Sequence, residues 1–297
     1  MKFLLPAVLS LAPSLVSAWG QLGHQTVGLL AQAYLLPGTI EKVQYYLNDT
    51  TPTYMGNIAT WADSYRYTEG GAFSSGYHFV NGHDDPPPHS CKIEYPGDCP
   101  PEGCIVSAIA NYTARLQSKK VEWIDKRDAL RFLIHFLGDI TQPLHTEAYG
   151  AGANDVAVTF LGKSTNLHAV WDTSIPNLML NVTNNTPTFT DSLGWANNLA
   201  AKVNAGEFKR EVDNWIRYHD VKGDGPAKSA AKWAQDSNKL VCGYVLEEGP
   251  EKVNGTEVAG GEYYEGSTGI VEMQIAKGGV RLAAWLNMIF EGRPGFN

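Results

Sequence analysis

The sequence predicts a mainly α-helical fold, a single domain with one short β-hairpin. Three observations carry that expectation. Apolar residues recur on a helical period in six segments: 22–34, 106–116, 127–137, 193–203, 227–241 and 271–290. Only 155–161, DVAVTFL, alternates like a strand, which suggests half of a hairpin. Two His-x3-Asp pairs, His135/Asp139 in FLIHFLGD and His168/Asp172 in NLHAVWD, each set an imidazole and a carboxylate on one helical face.

Taken in order, residues 1–18 read as a signal peptide. Lys2 supplies the positive start, 3–16 the apolar stretch, and Val16-Ser17-Ala18 the small residues before a cleavage site. That stretch is short and broken by Pro6 and Pro13, so it makes a poor transmembrane helix. No second hydrophobic span follows. The expectation is a secreted, extracellular protein without a membrane segment, with 19–297 as one domain starting at Trp19. Pro143 should stop or bend the helix that carries His135. Residues 91–104, after three consecutive prolines, read as an ordered loop, and 247–262, rich in Gly and Glu, as a surface loop. There is no internal repeat or linker.

The four cysteines, Cys91, Cys99, Cys104 and Cys242, form an even set that suits two disulfides in an oxidising compartment. Three pairings are possible. Cys99 and Cys104 flank a short Pro/Gly loop that closes easily, which leaves Cys91 with Cys242. Sequons at Asn48, Asn111, Asn181, Asn184 and Asn254 are glycosylation candidates, with Asn181 and Asn184 too close for both to be filled. The net charge of −8 speaks against a broad basic groove for duplex nucleic acid. Nucleic acid stays open as a substrate, because bound cations supply positive charge locally.

A lone His on an apolar helix is more often a hydrogen-bonded core residue than a metal ligand. A buried His–Asp hydrogen bond would account for one pair. It would have to recur at the second pair and would leave His145, in QPLHTEAY, without a role. An ionised Asp139 among Leu133, Ile134, Phe136 and Leu137 is costly unless paired or bound to a metal. His24, Asp63 and His78 upstream bring the set to eight side chains, more than the roughly four a tetrahedral zinc takes. Nitrogen and carboxylate ligands without thiolate suit zinc. With one carboxylate bridging, the set would serve three Zn2+ ions with open positions, the mark of a catalytic site. Such a cluster points to metal-assisted attack on phosphate. Trp19 would add a ligand if the segment before it is removed, through its free amine and its carbonyl. The alternative leaves Trp19 as a surface residue after a cleavage site.

These motifs, with WGxxGH at 19–24, WADSYRYT at 61–68, YHF at 77–79, FLIHFLGDITQPLH at 132–145 and QIAKGGVRLAAWLN at 274–287, resemble those of the secreted fungal zinc nucleases that cut single strands. This is the nuclease S-one and nuclease P-one family. The likeness runs from Trp19 to about Asn287. It implies the helical fold that zinc phospholipase C shares with nuclease P-one, with a trinuclear zinc cleft. It further implies one zinc on Asp63, His78, His135 and Asp139, and a second on His145, His168 and Asp172. A third would sit on Trp19 and His24, with Asp139 bridging. Arg66 matches the family's phosphate-binding basic residue, and Asp63 would also orient the attacking water. Phe79 matches the aromatic that stacks on a base. Asn81 stands where the family has an Asp, and Gly152-Ala153-Asn154 resembles a Gly-Gly-Asn loop of the same pocket. The resemblance pairs Cys91 with Cys242 and Cys99 with Cys104. It implies cleavage of single-stranded DNA and RNA to 5′-phosphate products, and hydrolysis of 3′-nucleotides. A monomer is the expectation for the assembly. Two other readings compete: a secreted zinc phospholipase C, and a binding protein that uses zinc only for stability.

Overall fold

The computed structural model describes residues 19–83, 86–182 and 186–296. The expected signal segment and the Asn184 sequon lie outside them. The chain opens with α1 (Gln21–Gln32), α2 (Pro37–Leu47), α3 (Tyr54–Ile58) and α4 (Trp61–Tyr65). The long helices α5 (Ile105–Gln117) and α6 (Trp123–Asp139) follow, then the single turn α7 (Gly150–Ala153). Strands β1 (Ala157–Phe160) and β2 (Lys163–Asn166) form an antiparallel hairpin with Ala157 opposite Asn166. The rest is α8 (Leu167–Ala169), α9 (Ile175–Met179), α10 (Phe189–Ala205), α11 (Val212–Trp215), α12 (Gly225–Leu240), α13 (Pro250–Val253) and α14 (Gly261–Glu291).

All six expected helices are present, and so is the hairpin. Three helices start earlier than their apolar period suggests: α6 at Trp123, α10 at Phe189 and α14 at Gly261. Their first turns contain no fully buried apolar residue, so no apolar stripe marks them. Segment 247–262 is more ordered than a surface loop. It contains α13, buries Val258, and turns the Glu257 carboxylate onto the backbone N–H groups of Leu161 and Gly162 at the hairpin tip.

α14 is the spine. At about 1.5 Å per residue its 31 residues span roughly 46 Å, and α1, α2, α5 and α6 pack along it. Residues from Gln274 to Asn287 are buried without a break, as expected of a helix surrounded on all sides. Trp285 meets Trp233 edge to face, centroids 5.0 Å apart, and donates its indole N–H to Thr113. His219, from the loop before α12, lies against both indoles and beside Arg281. Burial, with the Arg281 charge adding, lowers its pKa to about 4.

The disulfides are Cys91–Cys242 and Cys99–Cys104, with Cα atoms 5.8 and 5.3 Å apart. The first ties the 91–104 loop to a π-helical turn, Val241–Val245, that ends α12. The second closes just before α5, whose first turn is fixed by Ser107 Oγ accepting from the Cys104 backbone N–H.

Candidate metal centre

The eight expected ligand side chains come from six places in the chain and meet at one locus. α1 brings His24, and α4 brings Asp63, with Arg66 at its end. A 3-10 turn, Ala72–His78, brings His78. α6 brings His135 and Asp139 from its buried C-terminal half. Pro143 cannot continue that helix. It opens a second 3-10 turn, Pro143–Thr146, which carries His145 and whose first N–H groups are met by Gln142. Asn166 caps α8 through the Ala169 N–H. α8 then widens into a π-helical turn, Val170–Ser174, so His168 and Asp172 flank that transition. Gly138 lets α1 and α6 approach: a methyl there would stand 3.1 Å from His24 Nδ1.

The first group is Asp63, His78 and His135, with Asp139 against it. His78 Nδ1 is 2.9 Å from Asp139 Oδ2 and 3.8 Å from Asp63 Oδ1. His135 Nε2 is 3.1 Å from His78 Nδ1, 3.2 Å from Asp139 Oδ2 and 3.5 Å from Asp63 Oδ1. A tetrahedron with its corners about 2.0–2.1 Å from the centre has edges of about 3.3 Å. The five observed edges bracket that length.

A second group, His24 with His135 and Asp139, uses the other carboxylate oxygen: His24 Nε2 lies 3.1 Å from Asp139 Oδ1. The His24 and His135 rings stack at 3.8 Å. Asp139 thus turns one oxygen to each group, the geometry of a bridging carboxylate. The third group is His145, His168 and Asp172, with His168 Nε2 3.1 Å and His145 Nε2 3.8 Å from the Asp172 oxygens. Gln142 Nε2 donates to Asp172 Oδ1.

Outer partners fix the imidazoles. His135 Nδ1–H donates to Ala59 O at 2.7 Å, His145 Nδ1–H to His78 O at 2.9 Å, and His168 Nδ1–H to Gly152 O at 2.6 Å. A carbonyl only accepts, so each Nδ1 carries a proton and each Nε2 is the atom turned to its group, where a cation or a second proton can take its lone pair. The buried atoms without a hydrogen-bond partner include His24 Nε2, Asp139 Oδ1, His145 Nε2 and His168 Nε2. Unmet buried polar atoms that converge in this way call for a cation. The donor set fits zinc.

The electrostatics agree. Burial pushes the Asp139 carboxyl up, but His135, His24 and His78 outweigh it and hold it well below the ordinary carboxylate range. Burial likewise raises Asp63, and His135 and His24 overcome it. Burial alone would depress His135, yet Asp139 and Asp63 lift its pKa to about 10. His78 goes the other way, to about 4, because burial outweighs the Asp139 attraction. The carboxylates here are therefore ionised and compact, a site prepared for positive charge.

Trp19 is fully buried, with its indole N–H on Thr141 Oγ1 at 3.1 Å, and does not sit on the surface. The next residue, Gly20, donates its N–H to the Asp172 carbonyl at 2.8 Å, which fastens the start of the described chain to the third group.

A cavity of about 340 Å³ adjoins the ligands. Its wall contains His78, His145 and His168 together with every residue expected to touch substrate: Arg66, Phe79, Asn81, Gly152 and Asn154. Arg66 Nη2 is 3.6 Å from Asp63 Oδ1, and its Nε is buried with no partner. Phe79 is 38% exposed, too open for a core residue. The wall also holds Tyr67, Ser75, Leu144, Glu147 and Ala151, which the sequence reading did not single out. Of these, Tyr67 carried a readable signal, an aromatic next to Arg66, the residue expected to bind phosphate. The sequon residues Asn48, Asn111, Asn181 and Asn254 are all exposed.

Comparison with known proteins agrees with this geometry. The S1/P1 Nuclease family model matches residues 19–291. Nuclease S1 of Aspergillus oryzae is 40% identical over 97% of this chain and 98% of its own length. Nuclease P1 of Penicillium citrinum is 39% identical over 91% of this chain and 97% of its own. Endonuclease 3 of Arabidopsis thaliana is 31% identical over 93% and 90%. With that coverage, and with the His and Asp ligand groups in place, the chain belongs to the S1/P1 nuclease family.

Proposed function

We propose that this chain is an extracellular zinc-dependent endonuclease that hydrolyses single-stranded DNA and RNA to 5′-phosphate products and also removes phosphate from 3′-nucleotides. In this reading residues 1–18 direct secretion, residues 19–297 act as one monomeric domain, and three zinc ions occupy the ligand groups. The observation that carries it is the shared cavity: His78, His145 and His168 line the same wall as Arg66 and Phe79. The named nuclease relatives support it.

Asp63, His78, His135 and Asp139 would hold one ion, His145, His168 and Asp172 a second, and Trp19 with His24 the third, Asp139 reaching both the first and the third. When bound, zinc supplies Lewis acidity and lowers the pKa of water near phosphorus. The chain's own residues do the rest. Arg66 grips phosphate oxygens with a guanidinium already aimed by Asp63 and lacking a partner at Nε. Its fixed charge stabilises the negative charge that grows on the departing 3′-oxygen and the phosphoryl group. Asp63, held ionised, accepts a hydrogen bond from the attacking water and orients it. Phe79 stacks on a base, which must leave its duplex stack to reach the ring, and single-strand preference follows. Asn81, Gly152 and Asn154 surround that base. Asn81 both donates and accepts, whereas a carboxylate accepts only.

Metal analysis of the purified protein, with assays on single strands, duplex, 3′-nucleotides and phosphatidylcholine, tests the reading. Zinc with rapid cleavage of single strands and 3′-nucleotides is expected. Hydrolysis of phosphatidylcholine alone, or tightly held zinc with no hydrolysis, would overturn it.

A further inference from the structure

Tyr67 has no role in the mechanism above, yet the residue is 58% exposed and lines the same cavity as Phe79. The Arg66 guanidinium lies over that ring, 5.1 Å from its centroid. A guanidinium covers one face at most, and the large exposure leaves the rest of the ring open. Most exposed tyrosines are solvated surface residues. This one differs in sitting against the cation proposed to hold phosphate.

Resting on the proposed nuclease reading, we propose that Tyr67 is a second base platform, which takes the nucleotide on the 3′ side of the scissile phosphate. The chemistry sets the order. If hydrolysis breaks the P–O3′ bond, and a 3′-mononucleotide lays its single base on Phe79, the base on Phe79 belongs to the nucleoside that departs with the 3′-oxygen. The other nucleotide keeps the phosphate and leaves the phosphate site on its far side. Arg66 marks that phosphate, and Tyr67 is the aromatic beside it. An arginine on one face of a ring and a base on the other form a continuous cation–ring–base stack. The contact is indifferent to base identity, because every base offers a π face.

The proposal separates two substrates. A 3′-mononucleotide has one base and uses Phe79 alone, whereas a dinucleotide reaches both rings. The test is kcat/KM for a dinucleotide and for the matching 3′-mononucleotide in wild type, Tyr67→Ala and Tyr67→Phe. In Tyr67→Ala the dinucleotide-to-mononucleotide ratio should fall about tenfold, chiefly through KM. Tyr67→Phe should restore it, since the ring does the stacking. An equal loss on both substrates would show that Tyr67 only props Arg66, and an unchanged ratio would show no base contact; either overturns the proposal. A wild-type protein that hydrolyses neither substrate would instead refute the nuclease reading itself.

Discussion

Gly152→Ala tests the link between loop geometry and the metal site most sharply. Gly152 has φ +66°, and a methyl placed on it would stand 2.7 Å from the Leu144 carbonyl oxygen and 3.2 Å from His168 Nδ1. The left-handed conformation costs an L-residue about 1–2 kcal/mol. The contact with Leu144 is to backbone, which cannot rotate aside, so the loop must shift. Gly152 O is also the acceptor that holds His168 Nδ1–H at 2.6 Å. When such an outer partner moves, metal affinity falls about 10–100-fold, or about 1.4–2.7 kcal/mol. The expected result is selective. The ion proposed for His145, His168 and Asp172 should leave at about 10–100-fold lower chelator strength, with the other two retained. The assay is zinc content after equilibration across a chelator series, with thermal unfolding as a check on folding. A Gly152→Ala protein that keeps every zinc at the wild-type chelator midpoint would refute the claim that this carbonyl sets His168.

Four further outcomes follow from other parts of the molecule. Asp139→Asn keeps the shape but loses the charge that faces two ligand groups. It should lower zinc content and cut turnover by orders of magnitude, and normal values of both would exclude bridging. Phe79→Ala should weaken nucleotides of every base alike, whereas Asn81→Asp should reorder the bases; unchanged relative rates for four dinucleotides would show that Asn81 does not read the base. His219, at about 4 when folded against 6.5 ordinarily, refuses a proton that the unfolded chain binds between those values. Stability should therefore be full above about pH 6.5 and fall toward pH 4, by at most about 3 kcal/mol because the ring keeps some contact with water. His219→Gln should flatten that slope in urea unfolding. Loss of the Cys91–Cys242 link, with its separation of 151 residues, should cost about 5 kcal/mol, against about 2 for Cys99–Cys104 with a separation of 5, as compared by urea midpoints of the double serine variants.

The candidate ligands were legible because each signal was redundant. His135 and Asp139 stand in an apolar run that tolerates neither alone, and His168 with Asp172 repeats the spacing. The long helices were legible wherever one face is buried. What stayed hidden has a physical cause in each case. α2 is a short amphipathic helix with only Thr39, Val43 and Leu47 buried. α3 and α4 have five residues each, too few for a period to show. β2, KSTN, has no apolar face and exists because β1 pairs with it and Glu257 clamps the tip. Glu147 is buried in the cavity wall, but a single acid in TEAY carries no pattern. Trp19 read as a possible surface residue because burial of one indole depends on Thr141, 122 positions away.

The sharing of Asp139 and His135 between two groups, while His145, His168 and Asp172 stand apart, has a consequence for how the centre fills. An ion in the first group would draw Asp139 into place and so preorganise Asp139 Oδ1 for its neighbour. Those two ions would then load and unload as a coupled pair, and the third independently. Titrated with metal, the protein would pass through few states: empty, the isolated ion alone, the coupled pair alone, or complete. Scarce zinc would then reduce the number of working molecules rather than the speed of each one.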